Sequence, residues 1–71
     1  MTILDNHTYI FEFTNNTTGK VETDKATGYD LKNSKGLVNL AMITAAEANV
    51  YAYFKNHKNE EIRVELVNSY S

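Results

Sequence analysis

The chain has 71 residues, 42% hydrophobic and 23% charged, with five Tyr and three Phe, which is the length and composition of one small folded domain and not of a disordered tail. It contains no Cys, Pro or Trp, so disulfides, Cys-ligated metal centres and thiol catalysis are excluded. A net charge of −2 disfavours a strongly basic nucleic-acid binder.

Residues 8–14 (TYIFEFT) alternate Tyr9, Phe11 and Phe13 against Ile10 and Glu12, the period-two pattern of a strand with an aromatic inner face. The turn-rich NNTTG follows, with Gly19 free to take a positive φ. Residues 20–26 (KVETDKA) alternate Val21, Thr23 and Lys25 against Lys20, Glu22 and Asp24. Their charge suits an exposed edge strand, where it discourages wrong pairing. Together these segments predict a hairpin over 8–26.

Residues 27–36 are read as a connection in which Asp30, Asn33 or Ser34 caps the next element. Leu37, Leu40, Ala41, Thr44, Ala45 and Ala48 then recur at helical spacing, predicting a helix over about 34–49 with that stripe inward. The capping-box pattern Thr44-Ala45-Ala46-Glu47 supports an alternative, a helix over 44–58 with 36–43 as a strand. The alternating VYAYFK run beyond it favours the first assignment. Residues 50–55 and 61–67 alternate as strands around the polar turn NHKNE and predict a second hairpin over 50–67. The tail from Asn68 is expected to fray.

The expected fold is α+β: a two-layer ββαββ sandwich, 1–71 as one small domain, with a four-stranded antiparallel sheet and one helix on one face. The order 2-1-3-4 is favoured, because it leaves the charged second strand at an edge. The inner face then takes Tyr9, Phe11, Phe13, Val21, Val50, Ala52, Phe54, Ile62, Val64 and Leu66. The outer face carries Ile10, Glu12, Tyr51, Tyr53, Lys55, Arg63 and Glu65, with Val67 at its end.

That outer face is unusually apolar for a wetted one, and such patches mark interaction sites. Ile10, Tyr51, Tyr53, Lys55 and Arg63 form the candidate interaction surface. Tyr suits a protein interface because its body is apolar and its tip polar. A core this small rarely supplies more than ~3–5 kcal/mol of net stability, and association is one way to add to it. A homo-oligomer or a protein partner is therefore the leading expectation. A stacking platform for single-stranded nucleic acid is the alternative. It is not favoured, because Glu12 and Glu65 share the face.

Candidate chemistry is sparse. His7 and His57 are the only histidines. His57 with Glu60 and Glu61 lacks the three or four converging ligands of a metal site. Ser34, Ser69 and Ser71 have no supporting base motif, and the glycines at 19, 28 and 36 form no phosphate loop. Glu12, Glu22 and Asp24 can approach one another across the first hairpin, and paired carboxylates can do acid–base work, but an edge-strand charge pattern accounts for them better. No enzyme activity, cofactor or metal is expected. The N-terminus has no leader pattern, and no window reaches the ~18 apolar residues of a membrane span. A cytoplasmic location with no membrane is expected. Nine Asn, a single Arg and no Pro indicate an AT-rich coding sequence, as in a low-GC bacterium or phage.

Overall fold

The computed structural model describes residues 3–71. Its elements are β1 (Thr8–Asn15), β2 (Val21–Thr27), α1 (Gly28–Asn33), α2 (Leu37–Ala48), β3 (Ala52–Lys55) and β4 (Glu61–Tyr70). The fold is α+β, with one open, fully antiparallel four-stranded sheet. Two helices are present among the described residues, where the sequence suggested one.

Both hairpin loops are organised by an asparagine. Asn15 Oδ1 accepts from the N–H groups of Thr17 and Thr18, both at 2.9 Å, and Gly19 takes φ +82° before β2 begins. Asn56 Oδ1 accepts from the N–H groups of Lys58 and Glu60 at 3.0 and 2.9 Å, with Asn59 at φ +63°. An Asn side chain imitates a turn of backbone in this way and fixes loop length. Loop length in turn fixes the register of the strands it joins.

The strand order is β2-β1-β4-β3, not 2-1-3-4. The cause is the length of β4. It runs to Tyr70 through the segment expected to fray, pairing with β1 up to Thr8↔Tyr70. A register shift between Ile10 and Phe11 skips Val67 and lets pairing continue, as a bulge does. The long β4 lies centrally and the four-residue β3 takes the edge. Charged β2 occupies the other edge, as expected. Beyond Val64, β4 has no β3 partner. On these two open stretches a side chain closes on the following backbone donor: the Lys25 N–H donates to Asp24 Oδ1 at 2.8 Å, and the Ser69 N–H to Asn68 Oδ1 at 2.9 Å.

The supposed connection contains α1. Thr27 is its cap, accepting from the Asp30 N–H at 3.1 Å, whereas α2 begins at Gly36 with no side-chain cap, so Asp30, Asn33 and Ser34 do not cap it. α1 buries Leu31 completely. Asn39 Nδ2 donates to the carbonyls of Leu31 and Ser34 at 2.7 and 3.2 Å, tying α2 to α1. The alternative helix over 44–58 is excluded. Thr44 lies inside α2, its hydroxyl donating to the Leu40 carbonyl at 2.9 Å.

α2 is rotated about its axis relative to expectation. Ala41, Met42, Ala45 and Ala46 are buried, whereas Leu37 and Leu40 are 65% and 61% exposed, and Thr44 and Ala48 also face water. The sheet accounts for this. Tyr9 and Phe11 already fill the core, with Phe13 and Phe54 at its margin, so a face of small side chains fits closely where leucines would overfill. Ile3 joins this core, and the Leu4 N–H donates to the buried Tyr9 hydroxyl at 3.0 Å.

Two assignments to the inner face fail. The register Thr14↔Val21, Phe13↔Glu22, Phe11↔Asp24 puts Val21 on the outer face, 55% exposed. Glu22 and Asp24 share the helix side with the phenylalanines. Val50 precedes β3 and is exposed. The remaining inner residues, Tyr9, Phe11, Phe13, Ala52, Phe54, Ile62, Val64 and Leu66, are buried or partly buried.

Candidate interaction face

α1 lies against β2, and α2 lies across β3 and β4, both on the side of Tyr9, Phe11 and Val64. The opposite face of the sheet has no helix over it. Directly paired residues share a face, so the register writes this surface out in rows. Across β2, β1, β4 and β3 one row reads Val21, Thr14, Arg63, Tyr53. The next reads Thr23, Glu12, Glu65. A third reads Lys25, Ile10, Asn68. At the end of β3, Lys55 stands opposite Glu61.

Four of the five predicted surface residues come together. The Arg63 guanidinium carbon sits 4.6 Å above the centre of the Tyr51 ring. Tyr53 is its cross-strand partner, and Lys55 follows two residues along β3. Tyr51 lies before β3, not inside it, and its contact with Arg63 holds it to this face. A cation over an aromatic ring contributes about 0.5–1 kcal/mol at exposed sites. Tyr51 and Tyr53 are 49% and 55% exposed. Ile10, the fifth residue, lies apart, beyond the Glu12–Glu65 row.

Glu12 and Glu65 are direct partners on the central strand pair. Opposed residues have Cβ atoms about 4.5–5.5 Å apart, and like charges so placed destabilise the pair. Among the described residues the ion pairs are Lys20–Glu22 at 3.0 Å and Lys32–Asp5 at 2.8 Å; neither involves this face. Tyr70 extends the face past Thr8, and sequence reasoning missed it by treating the tail as frayed. Glu12 is split from Glu22 and Asp24 by the sheet itself, so those carboxylates form no group.

The helix side carries a second concavity that the sequence did not suggest, a groove of about 1130 Å³ open to solvent. Phe13 and Phe54 meet edge to face at 6.5 Å along it, with Val38 and Ile62 beside them and Glu22 and Asp24 on its β2 wall. It exists because β2 turns its carboxylates, not Val21, toward the helix side. The only available signal was the parity set by the Asn15 turn.

His57 and Glu60 both lie in the β3–β4 loop. The Asn56 side chain, donating to Glu60 at 2.8 Å, holds the Glu60 carboxyl below its ordinary range, with Lys58 and His57 adding smaller effects. Among the described residues no three His, Asp or Glu side chains converge as metal ligands, and no helix is long and apolar enough to cross a membrane. Comparison with protein-family models, curated proteins and solved structures finds no match to this chain.

Proposed function

We propose that this chain is a non-enzymatic protein-interaction module that self-associates through the sheet face opposite its helices. The observation that carries the reading is the Arg63–Tyr51 stack at 4.6 Å, with Tyr53 beside it. It holds the half-exposed Tyr51 ring in place beside Tyr53 on a face without a covering helix. Ordering such side chains before contact removes part of the entropy cost of binding. Ile10 and Lys55 extend the same surface. The cytoplasmic location and the low-GC bacterial or phage origin belong to this proposal, the origin resting on composition alone.

The test is the mass of the protein in solution. Wild-type protein sediments as a dimer, and Tyr51→Ser with Tyr53→Ser shifts it toward monomer. A monomeric wild type would refute the reading, and stability that ignores the double change would remove the tyrosines from it. The same stack, with Lys55 nearby, favours a second reading as a single-strand nucleic-acid platform. Salt-dependent quenching of tyrosine fluorescence by mixed oligonucleotides distinguishes it.

A further inference from the structure

The outer face carries an electrostatic conflict together with its remedy. Glu12 and Glu65 oppose each other on β1 and β4, both half-buried, and neither makes an ion pair among the described residues. One row away on β4, Arg63 is likewise without a carboxylate partner and rests on Tyr51. A like-charge pair opposed across two strands is destabilising, and a cation from outside the chain relieves it. A second copy of the chain presents one at the matching spacing.

Two-fold symmetry allows only a few ways to lay this face on itself. With the axis along the strands, between β1 and β4, each Glu65 meets its partner's Glu12 and four carboxylates collect. With the axis across the strands, between the Arg63 row and the Glu65 row, each Arg63 meets the partner's Glu65 beside Glu12. The contact occurs twice, and the tyrosines at the β3 end face the partner's tyrosines. Stacked sheets lie about 10 Å apart, a gap that an extended arginine and two rings fill.

Resting on the proposed self-association, we infer that two copies pair face to face about an axis perpendicular to the strands, with Arg63 of each neutralising the Glu12–Glu65 pair of the other. The product is a four-layer helix–sheet–sheet–helix dimer with the helices outermost. Self-complementary charge also sets the register of the two sheets, because sliding by one row brings like charges together.

The test is a charge exchange. Arg63→Glu makes the central charge cluster of one face acidic, and Glu12→Lys with Glu65→Lys makes that of the other basic. Each variant alone is monomeric where wild type is dimeric, and an equimolar mixture restores a one-to-one heterodimer in native mass spectrometry and sedimentation. Circular dichroism verifies that each is folded. Glu12→Gln with Glu65→Gln is the milder companion: the fold is retained, and dimer dissociation strengthens about tenfold. If the charge variants self-associate as wild type does, or if the mixture fails to pair, the arrangement is overturned while self-association stands. A monomeric wild type overturns both.

Discussion

Gly28 lies directly against the backbone carbonyl of Leu4, with no space between them for a Cβ. The segment before β1 is fastened to α1 here. The Gly28 N–H donates to the His7 carbonyl at 2.9 Å and the Tyr29 N–H to the Asp5 carbonyl at 3.3 Å, while Lys32 pairs with Asp5. Both opposing groups are backbone and neither yields cheaply. Gly28→Ala is expected to cost about 3 kcal/mol, the upper end for overpacking. Gly19→Ala, at φ +82° with open space around it, is expected to cost roughly 1 kcal/mol from backbone strain. Urea unfolding of both variants gives the comparison, and equal losses would contradict the close approach.

The orientation of α2 is open to the same kind of measurement. Leu37→Ser and Leu40→Ser change stability by less than about 0.5 kcal/mol, as exposed substitutions do. Ala46→Leu costs about 1–3 kcal/mol through overpacking, because Ala46 is fully buried and lies outside the stripe read from spacing. Thermal melts that rank the three the other way would restore the stripe read from spacing.

Tyr9 is buried to 2% exposure, and its hydroxyl accepts the Leu4 N–H. Tyr9→Phe keeps the ring and strands the donor. The expected loss is about 1–2 kcal/mol, together with faster hydrogen exchange at the Leu4 amide. Unchanged exchange at Leu4 would show that the bond does not protect it.

The lowered Glu60 carboxyl has a defined pH signature. A folded-state pKa below the unfolded one gives stability that is present above the unfolded value and lost as pH falls through the folded value. Asn56→Ala removes the main cause and returns the carboxyl toward its ordinary range. An NMR titration of the Glu60 side chain reads this directly. A titration identical in wild type and variant would remove Asn56 as the cause.

Much of the fold was legible because period-two and helical spacing are local properties. β1 begins at Thr8 and β4 at Glu61 as the alternation indicated, and α2 falls within the predicted helix. Arg63, Tyr53 and Lys55 share the outer face for the same reason. What failed depended on choices the local pattern does not contain. Val21 and Ala26, the two apolar residues of β2, alternate to opposite faces, so the Asn15 turn and not hydrophobicity chose which way Val21 points. The helix stripe had two solutions one residue apart, and the aromatic volume already in the sheet selected the alanine face. β4 outran its apolar run because Asn68, Ser69 and Tyr70 continue the ladder along β1 past a bulge. Charge opposition between Glu12 and Glu65 was invisible until β4, not β3, became the neighbour of β1.

The side-chain closures at Lys25 and Ser69 bear on how this protein behaves when concentrated. An approaching strand seeks free donors along an edge. Asp24 and Asn68 already hold one donor on the β2 edge and one on the free end of β4, so a strand added at either place starts with a hydrogen bond missing. The remaining edge is β3, four residues long, and a short edge offers an incoming strand little to pair with.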